Sequence, residues 1–141
     1  MSSPVHVVCP HCNAVNRIAP GKPADEAVCG ACKRPLFEGE PIRLTAANFD
    51  KHLERNDIPV IVDFWAPWCG PCRAMAPVFE RAAKELEPRV RLAKVNVDEE
   101  PAIAGRYGIR GIPTLIAFDR GKVVKQHAGL VDMQFLRRLV A

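Results

Sequence analysis

All six cysteines of the chain fall into three Cys-x-x-Cys pairs: Cys9/Cys12, Cys29/Cys32 and Cys69/Cys72. Two thiols at that spacing either exchange a disulfide or supply two ligands of a tetrahedral metal site. The first two pairs, Cys9-Pro10-His11-Cys12 and Cys29-Gly30-Ala31-Cys32, are separated by sixteen residues, inside the C-x2-C-x15–20-C-x2-C window for zinc. Four thiolates close a tetrahedral shell, so this spacing predicts a structural Zn2+ held by Cys9, Cys12, Cys29 and Cys32, with no open position for catalysis. His11 could replace one of these ligands, but with four cysteines at the right spacing it is expected on the surface of the knuckle.

No fourth pair remains to complete a second metal shell around Cys69 and Cys72, and no histidine lies within ten residues of them. What precedes and follows this pair favours redox work. Ile58 to Trp65 is nearly continuous in apolar residues, as expected of a strand covered on both faces. Beyond the pair, Met75, Val78, Phe79, Ala82, Ala83 and Leu86 recur at helical spacing and form one face of a long helix. Pro77 should kink that helix. Cys69 therefore stands where a buried strand passes into a helix, at free backbone N–H groups and the positive end of the helix dipole. That position lowers a thiol pKa by about one unit, from ~0.3–2 kcal/mol of interaction. Cys69 is the expected attacking thiolate, pointing outward, and Cys72 the inward resolving thiol. Gly70 permits close approach of a substrate backbone, and Pro71 suits the first helical turn, where its missing N–H is not needed.

Asp63 interrupts the apolar strand. A carboxyl there has no solvent-facing side to escape to, so burial should raise its pKa, and it becomes a candidate proton acceptor for Cys72. A hydrogen-bonded structural acid is the other reading. Trp68, next to the nucleophile, is expected on an apolar docking surface, and Trp65 beneath the site. Gly129, like Gly111, could leave room for a substrate chain or serve as an ordinary turn glycine.

The remaining elements supply a frame. A helix is expected near residues 46–55, capped by Thr45, with Leu44 and Phe49 as a hydrophobic staple and Leu53 extending the stripe. Val90–Val97 reads as a strand and Pro101–Tyr107 as a short helix ending at Gly108. Thr114–Phe118 and Val123–Gln126 form a hairpin around Asp119-Arg120-Gly121-Lys122. Asp132 caps a last helix with Phe135, Leu136, Leu139 and Val140 inward. The stretch before Pro41 is different: rich in Pro and Gly and poor in large apolar residues, it needs a staple such as a metal to hold a shape. The expected division is a zinc-binding, four-cysteine segment over 1–40, zinc-ribbon-like in character, and an α/β domain over 41–141.

Composition bounds the partners. The chain is 48% hydrophobic and 26% charged, as a soluble globular protein requires. Its net charge of +4 is scattered, and in residues 1–40 four cations cancel four acids, so nucleic acid is not an expected partner. Apolar runs are strand-sized, and the first residues lack a secretory pattern, so no membrane span and a cytoplasmic location are expected. A monomer is expected. His6, His52 and His127 belong to no constellation and are expected in solvent.

The run Val62-Asp63-Phe64-Trp65-Ala66-Pro67-Trp68-Cys69-Gly70-Pro71-Cys72 resembles the active-site signature of the thioredoxins, and Tyr107-Gly108-Ile109-Arg110-Gly111-Ile112-Pro113-Thr114 resembles their second signature. The resemblance covers residues 42–141. It implies the α/β thioredoxin fold, a central mixed five-stranded sheet flanked by helices, with a redox-active Cys69–Cys72 disulfide and dithiol. It implies NADPH-dependent thioredoxin reductase as electron source and disulfide-containing proteins as substrates. It also implies a cis Ile112–Pro113 bond against the sulfurs, with the Ile112 backbone presented to substrate, and Lys94 beside Asp63. On the residues alone, Lys94 could equally be an exposed strand lysine.

With the four-cysteine segment ahead of it, the chain resembles the zinc-containing class of bacterial thioredoxins, the thioredoxin-2 type. One departure is Pro67, where the main family commonly carries a charged or polar residue. Pro-His between Cys9 and Cys12 also resembles the active site of strongly oxidising periplasmic disulfide-forming proteins. Against that, no buried strand is expected before Cys9, and Pro20-Gly21 follows too soon for a long helix. Two functions remain in view: a reductase acting through Cys69 and Cys72, and a redox-sensing or partner-binding module acting through the zinc site.

Overall fold

The structure, a computed structural model, describes residues 3–140. Two sheets form. The small one is an antiparallel pair, β1 (Val5–Val8) and β2 (Val15–Ile18), followed by a 3-10 turn at Ala24–Glu26. The large one has five strands in the order β3 (Ile42–Arg43), β5 (Arg91–Asn96), β4 (Val60–Trp65), β6 (Thr114–Asp119), β7 (Lys122–Ala128). The first three are mutually parallel; β6 runs antiparallel to β4, and β7 antiparallel to β6. Helices α1 (Phe49–Arg55), α2 (Gly70–Leu86), α3 (Pro101–Arg106) and α4 (Met133–Leu139) cover it.

Strand alternation divides the core into two layers. Val60, Val62 and Phe64 pack with Phe49, Leu53 and Ile103 of α1 and α3. Ile61 and Leu92 pack with Met75, Phe79 and Leu86 of α2 and with Leu136 of α4. Asp63 follows the period of Ile61, and Lys94 that of Leu92, so both belong to the α2 face of the sheet. That is what brings the buried acid to the helix carrying Cys72.

Local chemistry explains the boundaries. Asp132 caps α4 by accepting the Phe135 N–H at 2.9 Å, and α2 runs through Pro77 without interruption. Arg120 and Gly121, both at positive φ, make the hairpin turn between β6 and β7. Helix α1 begins later than its sequence suggests. Thr45 opens a turn over 46–48, held by the Asn48 side chain on the Thr45 N–H at 2.7 Å, and the helix starts at Phe49.

The first segment differs most from expectation. A strand does lead into Cys9, and Val7 and Val8 are buried. His52 is not in solvent either: it is fully buried and its Nε2 donates to Asn13 Oδ1 at 2.9 Å. The outer edge of β1 is fastened to the turn after α1. Val8 N–H donates to Asn56 Oδ1 (2.9 Å), His6 N–H to Asp57 Oδ2 (2.7 Å), and Asp57 N–H to the His6 carbonyl (2.9 Å). The His6 ring pairs with the same carboxylate at 2.8 Å. On another side Arg91, buried, donates to the Leu36 carbonyl at 2.8 Å, stacks 4.4 Å over Phe37 and pairs with buried Glu87 at 3.5 Å.

Candidate functional site

Cys69 is the N-cap residue of α2, with extended backbone, and its Sγ accepts the Cys72 N–H at 3.2 Å. A sulfur in that position takes the place of the usual capping oxygen, and any negative charge on it is held by a backbone donor and the helix dipole. Cys69 and Cys72 form a disulfide, their Cα atoms 5.2 Å apart. Both sulfurs belong to residues with little exposure, 5% for Cys69 and 2% for Cys72, so Cys69 is outward only in a relative sense.

The second signature arrives opposite. Ile112–Pro113 is cis, and the Ile112 carbonyl oxygen lies 3.6 Å from Cys69 Sγ. Gly129, at φ +106°, donates its N–H to the Pro113 carbonyl at 2.8 Å, and so the loop after β7 joins the same surface. A side chain there would be strained. Trp68 is 66% exposed, and its indole N–H is held by Asp98 Oδ2 at 2.8 Å. Gly70 and Pro71 are exposed at the start of α2. The sequence carried no sign of Asp98, nor of Leu130, which is exposed immediately after Gly129.

Asp63 sits on the α2 face of the sheet, fully buried, and neither carboxylate oxygen has a hydrogen-bond partner among the described residues. Burial pushes its pKa up to about 7, the Lys94 charge pulling the other way. Lys94 is its register partner on β5, half-buried, with its ammonium 4.3 Å over the Trp65 ring. A carboxyl that titrates near neutrality can take and return a proton at neutral pH.

The sequence model of the family described as thioredoxin matches residues 40–141. The chain belongs to the thioredoxin family. It is 54% identical over 98 residues to a thioredoxin of Alicyclobacillus acidocaldarius subsp. acidocaldarius, covering 70% of this chain and 92% of that protein. It is 38% identical over 123 residues to thioredoxin C-3 of Corynebacterium nephridii, covering 87% of this chain and 84% of that one, an alignment that reaches into the first segment. Among solved structures, a point-mutant thioredoxin of Halobacterium salinarum NRC-1 superposes with a TM-score of 0.67 at 38% identity, over 74% of this chain and 90% of that one. As a thioredoxin the protein is a thiol–disulfide oxidoreductase, a disulfide reductase whose redox group is a Cys-Gly-Pro-Cys dithiol.

The other four cysteines lie together, away from this machinery in sequence but mutually close in space. Their sulfurs all fall within 4.8 Å of one another, with Cys9 and Cys32 at 3.6 Å and Cys12 and Cys29 at 3.5 Å. A tetrahedral shell with Zn–S bonds of ~2.3 Å has sulfur separations of ~3.8 Å, so the donor set fits a thiolate-bound metal. The two knuckles are the same turn. Cys9 N–H bonds to Ala14 O and Asn13 N–H to Cys9 O; Cys29 N–H bonds to Arg34 O and Lys33 N–H to Cys29 O. Asn13 and Lys33 stand at equivalent places with φ of 64° and 67°. The N–H groups of His11 and Ala31 point at Cys9 and Cys29 Sγ (3.3 and 3.4 Å), and Asn16, which no sequence signal marked, adds its amide to Cys29 Sγ at 3.4 Å. Such donors stabilise thiolates. The His11 ring is turned outward to Glu38, as a surface residue.

Proposed function

We propose that this thioredoxin reduces protein disulfides with Cys69 attacking and Cys72 resolving, and that it is of the zinc-containing class. The observation that carries the assignment is the Cys69 sulfur at the N-cap of α2 under the Cys72 N–H. In the dithiol form, the Cys69 thiolate attacks one sulfur of a substrate disulfide and expels the other as thiolate, forming a mixed disulfide. Asp63 then takes the Cys72 proton, and the Cys72 thiolate attacks Cys69 Sγ. The second substrate thiolate leaves, and the Cys69–Cys72 disulfide remains. Two electrons pass to the substrate, whose thiolates take up two protons. Lys94, register partner of Asp63, stabilises the ionised carboxylate during the transfer.

Trp68, Gly70, Pro71, Ile112, Pro113 and Gly129 form the surface on which an extended substrate segment lies beside the reacting sulfur. Cys9, Cys12, Cys29 and Cys32 hold Zn2+, which supplies a closed, redox-inert cross-link for residues 1–40, while 41–141 form the catalytic domain. Re-reduction comes from NADPH-dependent thioredoxin reductase, in the cytoplasm, and the protein acts as a monomer. Among the described residues no helix is long and apolar enough to cross a membrane.

The test is turnover of a disulfide substrate with NADPH and thioredoxin reductase, together with metal and thiol counting. Cys69→Ser should abolish turnover, and Cys72→Ser should accumulate a mixed disulfide at Cys69. Metal analysis should find one zinc per chain, unaffected by either substitution. Full turnover by Cys69→Ser would sink the assignment.

A further inference from the structure

An open cleft of about 450 Å3 lies in the first segment, between β2 and the stretch from Lys22 to Val28. Ile18 and Leu36, both buried, contribute its apolar lining, and exposed Arg17, Lys22, Glu26 and Val28 its rim. Val28 is 56% exposed, an unusual setting for a valine within so small a sheet layer.

The backbone beside this cleft is unpaired for a reason that follows from register. In an antiparallel pair, opposed residues alternate between those that exchange both main-chain hydrogen bonds and those that point theirs outward. On β1, the N–H and carbonyl of His6 are committed outward to Asp57, and the N–H of Val8 to Asn56. His6 faces Arg17 and Val8 faces Val15. The bonded pairs are therefore Val5 with Ile18, Val7 with Asn16 and, at the turn, Cys9 with Ala14, whose bond is 2.9 Å. Arg17 and Val15 must then aim their N–H and carbonyl groups away from β1, and none of the four has a partner among the described residues. β1 is used on both edges; β2 is used on one.

We propose that the outer edge of β2 is a docking site for an extended acidic segment of a partner protein, which adds to the small sheet as a third strand. Main-chain groups of Val15 and Arg17 supply the pairing. Alternation then decides the side chains: one face of the added strand meets Ile18 and Leu36, and the other meets Arg17. Arg17 and Lys22 are both without an ion pair among the described residues, against Glu26 as the one acid in the lining. The matching sequence alternates apolar and acidic residues. A second copy of this chain is a poor occupant, because pairing two β2 edges about a two-fold axis brings Arg17 toward its own image. The site is independent of the disulfide chemistry.

The experiment is an amide-resolved NMR titration of the full chain with an acetylated, amidated hexapeptide of alternating valine and aspartate. The valine–lysine hexapeptide is the charge control. Saturable shifts confined to Val15, Arg17, Ala19 and the Lys22–Val28 stretch are expected, with at least tenfold slower exchange of the Arg17 amide. The lysine peptide should bind at least tenfold more weakly, and the double reversal Arg17→Glu, Lys22→Glu should invert the preference while disulfide reductase activity stays unchanged. A valine–aspartate peptide N-methylated at alternate residues should fail to bind, a result that needs no change in the protein. No shift up to millimolar peptide, shifts elsewhere, equal binding of both peptides, or β2 pairing between two copies in sedimentation and NMR would overturn the proposal.

Discussion

Asp63 is buried with no hydrogen-bond partner for either oxygen among the described residues, and that burial has a measurable cost. Its proton is held more tightly in the folded chain, where the pKa is about 7, than at the ordinary value of 3.8. The sign follows: stability from this group is fully present below the unfolded value and is lost as pH rises through about 7. Asp63→Asn should leave stability at pH 4 almost unchanged and raise it at pH 8, by at most about 4 kcal/mol, read from urea unfolding at the two pH values. The same substitution should slow release of the mixed disulfide at neutral pH, because it removes the proton acceptor proposed for Cys72. An unchanged unfolding midpoint at pH 8 would remove Asp63 from the mechanism. The position was legible in the sequence because a charged residue inside an apolar run is conspicuous; its register with Lys94 was implied only by resemblance, since strand pairing is set by the fold.

The turn after α1 is where the two parts of the chain are sewn together, through His52, Asn56 and Asp57. Burial, then the charges of Arg91 and Lys51, push the His52 pKa down to about 4. A base so depressed gives stability that is present above its unfolded value of 6.5 and lost as pH falls through 4. His52→Gln should flatten that acid-side loss, worth about 3 kcal/mol at most, in urea titrations between pH 7.5 and pH 4. In the parent protein, the protection factors of the Asn13 and Val8 amides, corrected for the intrinsic pH dependence of exchange, should fall over the same window.

None of this was visible beforehand. The α1 periodicity marks Phe49 and Leu53, but His52 is buried by Asn13, 39 residues away. β1 escaped notice because a four-residue strand is stabilised mainly by its neighbours: β2, the Asn56 and Asp57 side chains, and the cysteine cluster. By contrast β4 and α2 carry their own signals, an apolar run and a 3.6-residue stripe, and so the strand-to-helix setting of Cys69 was legible at once. The knuckles were legible as spacing, though the matching positive-φ turns at Asn13 and Lys33 were not.

At the scale of the molecule, the buried Glu87–Arg91 pair joins the large sheet to residues 36 and 37 of the first segment. Such a pair adds little by existing and costs much when broken. Arg91→Leu strands the Glu87 charge and should lower stability by about 3–5 kcal/mol by urea unfolding, whereas Arg91→Leu with Glu87→Leu should recover most of it. Stripping the proposed zinc with a chelator should release the first segment, seen as faster exchange of the Leu36 and Val8 amides, with disulfide reduction retained. Both tryptophans of the chain stand at the disulfide end, Trp65 under the Lys94 ammonium and Trp68 tethered to Asp98, and none lies in residues 1–40. Light emitted by this protein on indole excitation therefore originates beside the Cys69–Cys72 pair alone. Emission should thus follow the redox state of that pair without a label, while the cysteine-cluster end contributes no indole signal. A thermal melt followed by fluorescence and one followed by metal release should accordingly separate when the two ends let go at different temperatures.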